Sequence, residues 1–237
     1  MSYIDVNSGQ VIAHADGNTR QKFIRKTYLH LAAAIALFAV LETVMIQAGL
    51  GVAALKMLNA IGGFGWLGVL LVYGIASSFV HRAALNAVSI EKQYTMWFVG
   101  VFIESVIFLP LIMMALLYSK DISFLQHAAI ATLALVAGLT AVVFTTGKDF
   151  SFLRPALAIG FFVAIGLIVT SVLFGFSLGL FFIGAMIIFA AAAILYETSQ
   201  IQHHYHETQY VGASLSLFAS VGMLFWYILH FFMSFND

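Results

Sequence analysis

Apolar residues run along this chain in seven long stretches, separated by short clusters of polar and charged positions. Between Pro155 and Tyr196, about 42 residues, there is not one Asp, Glu, Lys or Arg. As helix that stretch would measure about 63 Å, twice the roughly 30 Å of a bilayer core. It is predicted to cross a membrane, turn near Gly175-Phe176-Ser177-Leu178-Gly179, and cross back. The full set of predicted spans lies near Tyr28–Leu50, Ile61–Val80, Tyr94–Tyr118, Ile122–Thr146, Pro155–Phe174, Leu180–Tyr196 and Val211–Phe235. A β-barrel would need short alternating strands, and none are seen. The fold class is therefore all-α, a polytopic membrane protein with a seven-helix transmembrane bundle.

Residues 1–19 show no periodicity and are expected to form a flexible cytoplasmic tail, with 20–237 as one transmembrane domain. The first span follows a polar segment and exceeds a signal-peptide core, so it reads as an uncleaved anchor. Small residues recur four apart at Ala137/Ala141, Ser171/Gly175 and Ser216/Ser220, a spacing that lets helices approach closely.

Composition sharpens this picture. The chain is 62% hydrophobic and 8% charged, where a soluble domain carries about 25% charged residues. Its partner is the lipid bilayer. A formal net charge of zero argues against nucleic acid. With no Cys, disulfides, thiolate metal sites and Cys nucleophiles are excluded. Eight of the ten Lys and Arg fall on one side of a seven-crossing topology: Arg20, Lys22, Arg25, Lys26, Arg82, Lys92, Lys148 and Arg154. Only Lys56 and Lys120 fall on the other. The positive-inside rule then places the N-terminus in the cytoplasm and Asp237 outside.

Against so apolar a background the remaining acids carry the chemistry. A carboxylate at the bilayer centre costs about 2.5–3.5 kcal/mol on insertion scales, so it is protonated, paired or facing water. Glu104 is expected near the midplane of the third span, followed by Pro110, which removes one backbone hydrogen bond. It either faces a cavity or is held between helices. Glu42 sits nearer the outer end of the first span, within reach of the headgroups by snorkelling. Glu197 occupies the last turns of the sixth span. The negative end of the helix dipole and burial both disfavour charge there, so it is the acid best placed to titrate and gate a path.

The loop that follows reads His203-His204-Tyr205-His206-Glu207, whose His residues and Glu207 could sense pH. No HExxH or other ligand spacing accompanies it, so no metal site is assigned. Asp149 falls on the same side and could pair with this loop. Gly175-Phe176-Ser177-Leu178-Gly179 spells a nucleophile elbow but lacks the strand-to-helix context that motif needs, and no enzyme activity is expected.

Several of these segments resemble one family. Thr145-Thr146-Gly147-Lys148-Asp149-Phe150-Ser151-Phe152-Leu153 is similar to the loop between the fourth and fifth helices of Bax-inhibitor-type membrane proteins. Leu195-Tyr196-Glu197-Thr198-Ser199-Gln200-Ile201 resembles their sixth-helix ending. Glu207-Thr208-Gln209-Tyr210, leading into Ser214-Leu215-Ser216-Leu217-Phe218, resembles the start of their seventh. The bacterial YccA branch, with Glu in the sixth-helix motif, is the nearest in likeness. The resemblance implies a bundle in the bacterial inner membrane with one helix enclosed by six. It also implies a pH-dependent calcium leak controlled by an acid pair, with Glu197 as the first acid. The second falls on Ser220, which is not an acid, so a two-carboxylate switch is unavailable. The YccA branch is associated instead with binding and restraining the membrane-anchored ATP-dependent protease FtsH. Protease modulation is thus the first expectation from the resemblance, and a calcium or proton leak gated near Glu197 the alternative. No cofactor is implied beyond a transient Ca2+ at Glu197.

Overall fold

In a computed structural model that describes residues 10–86, 89–119 and 123–234, the chain folds into eight α-helices. These are α1 (Gly17–Gln47), α2 (Leu50–Ile61), α3 (Gly63–Leu85), α4 (Ile90–Ser119), α5 (Ser123–Thr146), α6 (Leu153–Phe174), α7 (Gly179–His203) and α8 (Tyr210–Ser234). Seven of them, α1 and α3 to α8, are long and apolar enough to cross a membrane. The tight turn expected before the sixth span lies between α6 and α7, where Gly175 and Gly179 take φ of 69° and 68°. That is the left-handed region, where a Cβ is strained.

Three boundaries differ from the hydropathy reading. First, α1 begins well before the apolar run, because Asp16 caps it: its Oδ1 accepts the Thr19 N–H at 2.6 Å. The added turns carry Arg20, Lys22, Arg25 and Lys26. Second, the segment between the first two spans is itself a helix. At 12 residues α2 is too short to cross, and it packs against α1, α3 and α4. Third, α7 continues past Tyr196, the predicted end of the sixth span, to His203, so that the last turns expected to hold Glu197 also bury Ile201. Helix α4 runs on through Pro110.

Of the segment expected as a tail, residues 1–9 lie outside the described residues. Residues 10–15 form a strap against the loop between α7 and α8. Ile12 N–H donates to the Tyr205 carbonyl at 2.9 Å, Val11 bridges His206, and Ile12 to His14 make one 3-10 turn. Ile12 is completely buried.

Helix α8 is the centre of the bundle, packed against α1, α3, α4, α5 and α7, while α6 packs on α7 and α3. Its first turns are buried almost all round, from Val211 to Phe218. The outer helices keep large apolar side chains such as Phe162, Phe174, Phe181 and Ile188 exposed. Lipid is the medium that accepts such faces. Hydroxyls within the spans back-bond to the carbonyl one turn earlier, as Thr27 does to Phe23, Ser105 to Val101 and Thr132 to Ala128. Where water cannot supply partners, this is the cheapest way to satisfy a hydroxyl.

One end of the bundle gathers the strap, the α3–α4 junction, the α5–α6 loop and the α7–α8 loop. Gln209 ties two of these together, donating from Nε2 to the Leu85 carbonyl at 3.2 Å and accepting the His206 N–H at 2.9 Å. Eight of the ten Lys and Arg lie at this basic end or in the turns beside it.

Candidate functional site: a buried polar chain from Glu197 to Glu104

Glu197 stands near the end of α7, and the loop after it folds back so that Tyr205 reaches the same carboxyl. The Tyr205 hydroxyl donates to Oε2 of Glu197 at 3.3 Å and lies 3.1 Å from Oγ of Ser216 on α8. Ser216 Oγ is in turn 2.9 Å from Nε2 of His81 on α3. Burial, and then the charge of the neighbouring Glu197, hold the Tyr205 phenol well above its ordinary range. The phenol is therefore a standing donor to the carboxyl. With the His81 proton on Nε2, and the one Ser216 hydroxyl hydrogen turned to Tyr205 and away from the Gly212 carbonyl 3.2 Å off, the bonds run in one sense: His81 to Ser216, Ser216 to Tyr205, Tyr205 to Glu197. Such a file can pass a proton by reversing its bonds in turn.

Beyond His81 the file opens on a cavity of about 20 Å3 between α3, α4 and α8, lined in part by Ser77, His81 and Glu104. That is room for about one water. Glu104, midway along α4, is 4% exposed. Its Oε1 lies against Gly222 of α8, where an added Cβ would collide with it. Gly222 thus makes the slot that admits the carboxyl to the helix interface.

Glu42 departs from expectation. Instead of snorkelling outward it is 4% exposed, and neither carboxyl oxygen has a hydrogen-bond partner among the described residues. Glu197, Glu104 and Glu42 sit on α7, α4 and α1, all packed on α8. They occupy three levels: near the basic end, midway, and near the opposite end.

Asp149 does pair with the loop after α7. Its Oδ2 lies 2.9 Å from Nε2 of His204, and its Oδ1 accepts Ser151 N–H at 2.9 Å, Ser151 Oγ–H at 2.6 Å and Ser199 Oγ–H at 3.1 Å. The Ser151 hydroxyl is the main cause of an Asp149 carboxyl held well below the usual range; burial opposes it, and the Ser151 amide, His204 and Ser199 add to the lowering. Gln200 adds a bond from Nε2 to Ser151 Oγ at 2.9 Å, and Ser199 Oγ accepts the Phe150 N–H at 2.8 Å. The α5–α6 loop is thereby clasped to the end of α7.

The other loop residues play backbone parts. His203 Nδ1 lies 3.1 Å from the Ser199 carbonyl, and the amide of Glu207 donates to the Gln10 carbonyl at 3.4 Å. Among the described residues no three His, Asp or Glu side chains converge to hold a metal ion. Ser220, carried over as the counterpart of Glu197, directs its hydroxyl to the Ser216 carbonyl of its own helix at 3.4 Å. The α8 hydroxyl linked to Glu197, through the Tyr205 hydroxyl, is that of Ser216, one turn nearer the basic end. Tyr205, Ser216 and His81 were not singled out from sequence. A phenol in a polar loop and a serine among small residues read as ordinary, and His81 falls just past a predicted span end.

These features define a seven-span helical membrane protein with buried carboxyls arranged around a central helix. Residues 20–237 match the family described as inhibitor of apoptosis-promoting Bax1, and the chain belongs to that family. It is also similar to an uncharacterized protein of Pseudomonas aeruginosa, PA2604, at 42% identity over 107 residues. That match covers 44% of this chain and 48% of the relative, so the chain spans about half the length of the curated relative it matches.

Proposed function

We propose that this protein is a proton-responsive cation leak of a bacterial inner membrane, with Glu197 as its titrating gate and calcium or protons as the cargo. The observation that carries this reading is the file His81–Ser216–Tyr205–Glu197, which joins an extramembrane loop to a cavity beside the midway acid Glu104. A neutral Glu197 accepts the phenol hydrogen bond without placing a charge in the buried site. An ionised one places a charge there that a single donor does not balance, and must draw in water or a cation. Ionisation therefore changes both the charge and the hydration of the path. The basic end faces the cytoplasm under the positive-inside rule, which puts the gate on that side and Glu42 near the outer face.

Purified protein in liposomes tests this. Calcium or proton flux should vary with pH between about 5 and 8. Glu197→Gln should remove the variation. Flux no greater than in empty liposomes across that range would eliminate the leak.

A second reading, direct restraint of a membrane-anchored ATP-dependent protease of the FtsH type, is favoured by one observation. Helix α8 offers only the hydroxyls of Ser216 and Ser220 where a two-acid switch would need a carboxyl. Affinity capture from native membranes in mild detergent, with protease abundance read out, tests it.

A further inference from the structure

The strap formed by residues 10–15 touches the gate through one residue. Tyr205 has its hydroxyl on Glu197 and its carbonyl on the amide of Ile12, at 2.9 Å. Next to it, His206 bridges Val11 and the Glu207 amide reaches the Gln10 carbonyl. Residues 10–12 of the strap are thus laid along the 205–207 backbone, the way a peptide adds to an exposed edge, before the chain turns into the 3-10 helix at Ile12–His14. Ile12 is its anchor: a fully buried apolar side chain, packed in the same core cluster as Ile201, Ala213 and Leu217. Gln10 stiffens the turn by donating from Nε2 to the His14 carbonyl at 2.9 Å. On the far side, Asp149 holds His204 in place. Tyr205 is therefore held through its own backbone by the strap and through its neighbour His204 by Asp149, both outside the spans.

We propose that residues 10–15 are a removable strap that keeps the gate shut by pinning Tyr205 over Glu197, and that withdrawing Ile12 opens the buried file to water from the basic end. The site regulated is that of the proposed leak, so the regulatory meaning rests on that reading. The occlusion itself does not. An isoleucine anchor and two backbone bonds are a modest attachment, of the kind that opens locally without global unfolding. A segment on a loop edge also exchanges with a competing peptide more readily than a buried helix does.

The chain has no Cys, so one introduced thiol reports access cleanly. Ser220→Cys places it one turn deeper on α8 than Ser216. A charged, membrane-impermeant methanethiosulfonate is applied to the basic end in oriented vesicles. Modification is compared in four backgrounds: intact strap, deletion of residues 2–9, deletion of residues 2–15, and Ile12→Asp. Rates should match in the first two and rise roughly tenfold or more in the last two, as expected where a local closure worth about 1.4 kcal/mol is removed. A synthetic peptide of residues 10–16 added to the 2–15 deletion should slow modification again. The peptide arm also separates an open file from a damaged fold, since a misfolded chain would not be restored by it. Unchanged rates in both strap-disrupted chains, or no restoration by peptide, would overturn the proposal. Faster modification without ion flux in liposomes would leave the strap standing and remove the leak.

Discussion

Oε1 of Glu104 occupies the space that a side chain at Gly222 would need, so the carboxyl on α4 and the missing Cβ on α8 form one fitted contact. The acid is admitted to the interface only because residue 222 has no side chain. Few contacts in the bundle couple a candidate functional group so directly to helix packing.

Gly222→Ala should therefore destabilise the protein by about 1–3 kcal/mol, the usual cost of overpacking. Glu104→Ala vacates the slot. The double variant should recover much of the loss, giving a coupling energy of about 0.5–3 kcal/mol in a double-mutant cycle. Thermal unfolding in detergent measures all four chains. Additive losses would mean that Glu104 moves aside at no cost.

Ser216 and Ser220 should behave differently although they lie one turn apart on the same helix. Ser216→Ala leaves both Tyr205 and His81 without their shared partner, at an expected cost of about 1–3 kcal/mol for buried groups left unmade. Ser220→Ala loses one long bond to its own helix and should cost less than about 1 kcal/mol. If Ser220→Ala is the more damaging, the file does not run through Ser216.

What hydropathy makes legible is charge against an apolar background, and what it hides is which way a side chain faces. Glu197 stood out because it ends a long uncharged run, and the spans could be counted for the same reason. The burial of Glu42 is not legible in this way, because its distance from the helix end says nothing about its face, and the face decides whether it snorkels or is buried. Helix α2 is hidden because twelve residues between two spans give no spanning signal. Ile12 lies in a segment whose average polarity conceals one anchoring side chain. Asp149 and His204 were legible only as neighbours on one side, since their pairing depends on how the α5–α6 loop folds over the end of α7.

The Asp149 clasp sets an acid limit on stability. Its folded carboxyl titrates below the ordinary value of 3.8. Its contribution is therefore fully present above that value and is lost as pH falls through it toward the folded value. The side chain is 45% exposed, so the effect is small and screened by salt. Asp149→Asn should lower the melting temperature near neutral pH, and the gap to the parent should begin to narrow once pH falls below about 3.8 and keep narrowing as pH is lowered further. A gap of constant size would mean that the charge of Asp149 contributes nothing.

Topology is testable without any flux assay. A reporter active only when exported, fused after Asp237, should be active, and the same reporter fused ahead of Gly17 should be silent. Activity at both ends would mean an even number of crossings, and one of the seven long helices would then lie in the plane of the membrane.

Glu42 gives the sharpest test of whether a buried acid is kept for stability or for another purpose. Both of its oxygens lack a hydrogen-bond partner among the described residues, and it is 4% exposed. A polar group buried in that way opposes folding unless something binds it. Methionine has nearly the same length and volume, and flexes to fill irregular gaps. Glu42→Met should therefore stabilise the protein, by about 1–3 kcal/mol if the full desolvation cost is relieved. The melting temperature in detergent would rise. If the acid also serves as the outer step of the proposed leak, the same variant should lose flux while gaining stability, a pairing that a purely structural residue would not produce. A lowered melting temperature would show that Glu42 has a partner that stabilises it, and the outer end of the path would have to be sought elsewhere.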